Sequence, residues 1–505
     1  MLMGVDIGTT SSKGVLISEG GKTIASFEME HRVERPAPGF AEMDAQSVWY
    51  GDFCMIAREL LSRAGAAPHS VEAVGVSGMY PVLVPVDTQG RALHKGILYG
   101  IDSRAVQEIE ELRCLLGEEY SIELTGNGIT TQSIAPKIMW LKKNEPKIFC
   151  KTACFLFATS YLVAQLTGKF VLDHGSASLG GLPYDARRSC WDERACAAAG
   201  IRTDQLPELR WGDEITGQIT QAAAVQCGLL PGTPVVTGTG DHIAEVLGTG
   251  GLVPGRGTVS YGTTFGFDVC CDRLVSSPGL QNCRTCLPDS FLIGGGMATG
   301  AVVSSWFRDQ FAEELVKAQQ AGGRNAYEVL ADWAATVPPG SEGLVALPYL
   351  NGERCPFFDP QAKAVMFGLT ARHTAAHVYR ALLEGVSMGV RQVVETVASA
   401  GLSLSSVTAV GGAARNIPWV QMISDACGIH QHVMAANGSS AYGAAVLAGI
   451  GIGAIRDAQA ATEFHSHSAV DILPEPSVKP VYDRLYRRFL ALYEATKDLM
   501  HDNTQ

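Results

Sequence analysis

The sequence predicts an α/β fold built from two similar domains, and three observations carry that expectation. Strand-like and helix-like segments alternate along most of the chain, as in layered α/β architecture. A Gly/Thr turn between two short strands occurs twice, at Asp6-Ile7-Gly8-Thr9-Thr10-Ser11-Ser12-Lys13 and at Ser260-Tyr261-Gly262-Thr263-Thr264. The chain of 505 residues is also too long for one ordinary core. The repeat and the length together imply duplication of one domain.

The elements follow in order. Met1 to Ile7 and Gly14 to Ser18 form a hairpin around the first turn, and Thr23 to Val33 supplies a third strand. Ala45 to Ala64 carries Val48, Phe53, Ile56, Ala57, Leu60 and Leu61 at helical spacing. Val71 to Val76 is a buried strand, and Pro81 to Pro85 begins another apolar run. The stretch Val235–Val236 breaks into Thr237-Gly238-Thr239-Gly240-Asp241-His242, with a helix expected from Ile243. Glycines at 248, 250, 251 and 255 mark the domain boundary. The second cycle places strands at Gly257–Tyr261 and Gly266–Cys270, and a long helix at Tyr379–Val397. A strand at Val407–Val410 then runs into Gly411-Gly412-Ala413-Ala414-Arg415-Asn416. Val481 to Met500 reads as a covering helix. The division expected is 1–250, 251–455 and a C-terminal extension, 456–505.

A net charge of −12, with no basic run and no zinc-finger spacing, argues against a nucleic-acid partner. No apolar segment is long enough for a membrane span, and the start of the chain has no signal-peptide pattern. Thirteen scattered cysteines suit reduced thiols and a cytoplasmic setting. Cys283-Arg284-Thr285-Cys286 lacks two further ligands at regular spacing and is not read as a metal site.

The chemistry concentrates in four places. In the first turn, backbone N–H groups and hydroxyls can cradle phosphate oxygens; Asp6 can hold Mg²⁺ through water and Lys13 can neutralise a phosphate. The spacing is not that of a Walker loop. Asp241 is a lone carboxylate delivered by a Gly/Thr turn, suited to align and deprotonate an attacking hydroxyl, or to cap the helix after it. His242 is read as packed or solvent-facing. Gly411 to Asn416 can admit a flat purine against backbone, whereas Ala441 to Ala445 is read as helix–sheet packing. Asp102 and Arg104 can bind vicinal hydroxyls or form a surface pair. Three phosphate-type turns and one acid point to an ATP-dependent small-molecule kinase.

These motifs resemble the FGGY carbohydrate kinases, most closely the xylulokinase branch. The matching stretches are DIGTTSSK from Asp6, YGIDSRA from Tyr99 and GTGDHIAEVLGTG from Gly238. They continue with SYGTTFGF from Ser260, PYLNGERCPFFDP from Pro348, RALLEGV from Arg380 and GGAARN from Gly411. The resemblance runs from Gly4 to about Gly453. It implies two ribonuclease-H-like domains of the actin and sugar-kinase type around a central cleft. It also implies Asp241 as catalytic base, Asp6 at Mg²⁺, and Thr10, Lys13, Gly262 and Thr263 at the phosphates. Ser305, Gly412 and Asn416 then contact the nucleotide, and Tyr99, Asp102 and Arg104 hold the sugar and its loop.

Two departures bear on the substrate. Met79-Tyr80-Pro81 stands where xylulokinases typically show Gln-Met-His, so Tyr80 and a donorless Pro81 face the sugar. The Trp-x-Asp-x-Arg pattern is one residue longer, Tyr99 to Arg104. The expected reaction is transfer from ATP, with Mg²⁺, to a primary hydroxyl of a small sugar, D-xylulose first. Another ketopentose, ribulose, erythritol, glycerol or a sugar acid is the alternative, and a non-catalytic ATP-binding protein on the same fold is the rival class. Apolar patches on the last helix suit a homodimer.

Overall fold

The computed structural model describes residues 1–277, 279–434, 438–466 and 470–502. Strand β1 (Leu2–Ile7) is wholly buried and pairs antiparallel with β2 (Ser11–Ile17), which pairs with β3 (Thr23–Glu30). On its other side β1 runs parallel to β4 (Ala73–Gly78), with Asp6 in register with Ser77. The sheet is completed by β5 (Ile215–Gln218), β6 (Pro234–Val236) and the short β7 (Thr239–Gly240), in the order β5-β6-β4-β1-β2-β3 with β7 also on β4.

The second sheet repeats that plan. Strand β8 (Arg256–Tyr261) pairs antiparallel with β9 (Phe265–Cys271), and β10 (Gln281–Arg284) and β11 (Phe291–Met297) lie beyond it. On the other side β8 runs parallel to β12 (Ser406–Val410), then β13 (His430–Val433), and antiparallel β14 (Val470–Ile472) forms the edge. Orientation matches strand for strand: an antiparallel edge, two parallel neighbours, then a hairpin carrying a Gly/Thr turn. A duplicated domain is what the sequence repeat implied.

Helix α1 (Gly51–Ala64) covers the first sheet with Phe53, Ile56, Ala57, Leu60 and Leu61, the apolar stripe predicted from spacing. The stretch Ala45–Tyr50 before it is one wide π-helical turn rather than regular α-helix. Helix α2 (Asp241–Gly248) starts two residues earlier than expected, because Gly240 in extended conformation already occupies the cap position. Helix α3 (Val302–Phe311) follows β11; α4 (Ala375–Ser399) and α5 (Ile417–Cys427) cover the second sheet.

Helix α6 (Ser440–Gly451) lies within the 251–455 stretch, yet its buried face belongs to the first core, beside Leu2, Val74 and Val246. The chain leaves the second sheet after β13, lays α6 on β1 and β4, forms α7 (Ala458–Ser466), and returns as β14. Close approach explains the small residues of α6. A Cβ on Gly443 would stand 1.7 Å from the Ala244 carbonyl oxygen, and one on Gly75 1.9 Å from that of Ala444. The run Ala441–Ala445 is therefore packing. Helix α8 (Lys479–His501) covers a third apolar cluster through Tyr482, Leu485 and Phe489. Among the described residues, no helix is long and apolar enough to cross a membrane.

Candidate active site

Three parallel strands of the first sheet end together, and each delivers one polar group. Strand β1 brings Asp6 and β4 brings Ser77, whose hydroxyl donates to Asp6 Oδ1 at 2.8 Å. Strand β7, paired with β4 at Thr239–Ser77 and Gly240–Gly78, leads directly into Asp241 at the start of α2. A carboxylate in a first helical turn is favoured by the free N–H groups there, and Asp241 Oδ1 accepts from the His242 backbone at 2.7 Å. Burial, and then the Asp6 charge, raise the Asp241 carboxyl well above the usual range; burial likewise raises Asp6, with Ser77 and Lys13 opposing. Glu245, one turn along α2, adds a third enclosed acid, also raised by burial. Closely placed, poorly solvated carboxylates of this kind accommodate a divalent cation, and carboxylates with waters are the donor set Mg²⁺ takes.

The turn after β1 is held from behind. Gly8 is required because a Cβ there would lie 2.8 Å from the Ser11 carbonyl oxygen. Beneath it, His31 reaches Asp52 Oδ2 through Nδ1 and the Gly8 carbonyl through Nε2, both at 2.9 Å. Ser12 Oγ donates to the same Asp52 oxygen at 2.6 Å. Both ring nitrogens of His31 face acceptors, so both carry protons, and the ring is an imidazolium. Burial works against that charge, but the hydrogen bonds His31 donates to Asp52 and to the Gly8 carbonyl prevail and the His31 pKa is raised. Thr10 in the turn and Lys13 on β2 are exposed, Lys13 3.4 Å from Glu28.

In the second half, Gly262, Thr263, Ser305, Gly412 and Asn416 all line one cavity of about 940 Å³. Carbonyls of Gly262 and Thr263 accept from Ala301 and Val302, docking the start of α3 against the turn. Gly411 has φ 98° and packs against Tyr261, where a Cβ would lie 2.7 Å from its carbonyl oxygen. Next to it, a Cβ on Gly412 would meet nothing within 4 Å, because it faces the open cavity. Asn416 caps α5 by accepting from Trp419 N. The five residues expected at the nucleotide and its phosphates thus line one cavity.

The two halves meet beside Asp241. His242 Nε2 lies 3.0 Å from Asp268 Oδ2 on β9, and Asp268 raises the imidazole pKa. His242 is thus solvent-facing, with its side chain 43% exposed, and also ion-paired with Asp268, a partner the sequence did not suggest.

The residues expected at the sugar divide. Tyr80 is buried against Gly240, and its hydroxyl has no partner among the described residues; Asp241 is among the charges acting on it. Pro81, after a cis Tyr80–Pro81 peptide, is buried beside it. Tyr99 turns its hydroxyl to Thr9 Oγ1 at 3.0 Å, linking its loop to the phosphate turn. Asp102 and Arg104 present nothing to the cleft: both side chains are 0% exposed. Asp102 accepts from Ala41 N, while Arg104 pairs with Asp102 and Glu42 at 2.8 Å and stacks on Phe40 and Trp140. They clamp the loop, and an external hydroxyl cannot reach them without rearrangement.

Sequence reasoning missed Ser77, His31, Asp52, Glu245 and Asp268. Two carried a signal: Glu245 is four residues from Asp241 on one helix face, and Asp268 is the lone charge in the apolar strand β9.

Residues 1–248 match the N-terminal domain of the FGGY family of carbohydrate kinases, and residues 257–452 match its C-terminal domain. A xylulose kinase of Escherichia coli (strain K12) is 31% identical over 433 residues, covering 85% of each chain. A gluconokinase of Bacillus subtilis (strain 168) is 29% identical over 448 residues, covering 88% of this chain and 86% of that one. The crystal structure of xylulose kinase from Rhodospirillum rubrum superposes with a TM-score of 0.90 at 31% identity over 99% of both chains. The two sheets around Asp241 are the two-domain actin/sugar-kinase fold. The chain belongs to the FGGY family of carbohydrate kinases.

Proposed function

We propose that this carbohydrate kinase transfers the γ-phosphoryl group of ATP to the primary hydroxyl of a ketopentose, D-xylulose first. The observation that carries the reading is the half-buried Asp241 carboxylate at the head of α2, beside Asp6 and next to His242, whose ring pairs with Asp268 on β9. Relatives named xylulose kinase support the sugar. Asp241 accepts the hydroxyl proton while the oxygen attacks phosphorus in line. Lys13 and the N–H groups of both Gly/Thr turns orient phosphate oxygens. Asp6, held by Ser77, would hold the Mg²⁺, which would supply charge neutralisation at the transferring group.

Closure of the two domains excludes water as a competing acceptor. Buried thiols whose protons are held by desolvation, such as Cys283, suit a reducing cytoplasm. Exposed Phe358, which lines a surface hollow with Leu490 and Tyr493 of α8, suits a homodimer face.

One observation favours a second substrate. His242 is a cation beside the base, and a relative is named gluconokinase, so an anionic sugar acid is the competing acceptor. A coupled ADP-release assay with D-xylulose, D-ribulose, glycerol, erythritol and D-gluconate decides. The expected result is one strong response to D-xylulose, silenced by Asp241→Asn. A response to gluconate alone replaces the ketopentose; ATP binding with no response to any acceptor supports the non-catalytic rival.

A further inference from the structure

The edge of the second sheet gathers two imidazoles and a carboxylate on one face. His430 and His432 are two apart on β13 and therefore project to the same side. Asp471 on β14 is the cross-strand partner of His432. Its Oδ1 lies 3.2 Å from His430 Nε2 and 2.5 Å from His432 Nδ1, and one ligand atom from each residue lies within 4.8 Å of the others. The two rings are 4.2 Å apart, and all three side chains reach solvent.

We propose that His430, His432 and Asp471 bind a first-row transition-metal ion of the zinc or nickel class, which clips β13 to β14. Two imidazole nitrogens and one carboxylate oxygen are donors of that class, and a solvent-facing position leaves room for water ligands. Mg²⁺ and Ca²⁺ prefer all-oxygen shells, so this site is chemically separate from the Mg²⁺ expected at Asp6. Bonds of about 2.0–2.1 Å put tetrahedral ligand atoms a little over 3 Å apart, within reach of small ring and carboxylate rotations.

The strand is held for the purpose from its other face. Between the histidines, Gln431 points inward, accepts from the Tyr261 hydroxyl at 2.8 Å and donates to Ser424 Oγ and the Val420 carbonyl. Those bonds fix the register of β13 and hence the direction of both imidazoles.

Topology gives the clip its consequence. Strands β13 and β14 are where the chain leaves and re-enters the second sheet, and between them run α6 and α7, with α6 lying on the first core. An ion joining the two strands closes that excursion at its base, and a cross-link closing a long segment restricts the unfolded chain most. The bound ion therefore raises thermal stability without touching the reacting groups.

The test uses untagged, full-length protein, stripped with chelator and returned to buffer containing Mg²⁺. Nickel is the probe, because the thirteen thiols compete for zinc. Isothermal titration with NiCl₂ is expected to show one saturable site and a rise in Tm. Both effects should be lost in His430→Ala and in His432→Ala, and weakened in Asp471→Asn, with ADP release unchanged in all three. His377→Ala serves as the control, since His373 and His377 also lie close, with rings 5.4 Å apart. Absence of saturable binding to wild type, binding that persists in the His430/His432 double variant, or binding lost with His377 overturns the proposal.

Discussion

The two halves of the molecule share a strand order and a turn but not a chemistry. Aligned through their hairpins, Asp6-Ile7-Gly8-Thr9-Thr10 of the first half corresponds to Ser260-Tyr261-Gly262-Thr263-Thr264 of the second. The parallel neighbour of Asp6 is Ser77, a hydrogen-bond donor; the parallel neighbour of Ser260 is Val410, which offers none. The first half adds Asp241 and Glu245 and pushes its carboxylates toward neutrality, whereas the second half opens onto a large cavity at Gly412. The backbone cradle is common property of the scaffold. In the function proposed, the residue closing each strand decides whether a half handles protons and metal or holds the nucleotide.

The largest break in that comparison comes from exchanging the strand-end residues. Asp6→Asn should lower kcat by about 10²-fold or more and raise the Mg²⁺ concentration needed, since charge stabilisation at the transferring group is lost. Ser260→Ala, at the equivalent position, should stay within a few-fold. Steady-state rates across a Mg²⁺ titration measure both, and equal losses would mean the halves are not divided as described.

A smaller effect is expected at His31, whose place at the Gly8 carbonyl is taken at the Gly262 carbonyl by the backbone N–H of Ala301. His31→Gln keeps one donor of two, so KM for ATP should rise several-fold while kcat changes less. The sign with pH follows from the raised pKa. The imidazolium is complete below the ordinary histidine value of about 6.5 and is lost as pH climbs through the raised one. Wild-type KM should therefore climb on the alkaline side, and the glutamine variant should show no such inflection. A pH-independent wild-type KM removes His31 from the phosphate turn's support.

The smallest catalytic effect belongs to the borrowed helix. Gly443→Ala forces a methyl toward the Ala244 carbonyl and should cost about 1–3 kcal/mol of stability. Gly412→Ala adds a methyl into open cavity and should leave Tm unchanged while weakening ATP binding a few-fold. Thermal melts with ATP titrations separate the two, and a Tm loss at Gly412 would contradict its placement.

Local features of the fold were legible and distant ones were not. Both hairpins, α1, α4 and α8 follow from apolar spacing and turn residues, and Gly262, Thr263, Gly412 and Asn416 gather because each lies just beyond a strand end or caps a helix. The Asp52–His31–Gly8 bridge joins residues 21 and 23 positions apart through sheet register, which no short motif encodes. Asp102 and Arg104 show the converse: their spacing allowed a hydroxyl-binding pair or a surface pair, but Phe40, Glu42 and Trp140, remote in sequence, bury them as an internal pair. The return of α6 to the first core was likewise invisible, since an all-apolar helix does not announce which sheet it covers.

The most direct test of the division of labour is Asp241→Asn, read by single-turnover phosphoryl transfer and by ATP affinity on the same protein. General-base loss predicts a fall in rate of about 10²–10⁴-fold with ATP affinity nearly unchanged. An unchanged rate, or ATP affinity falling in step with the rate, would contradict Asp241 as the base and with it the assignment of proton chemistry to the first half.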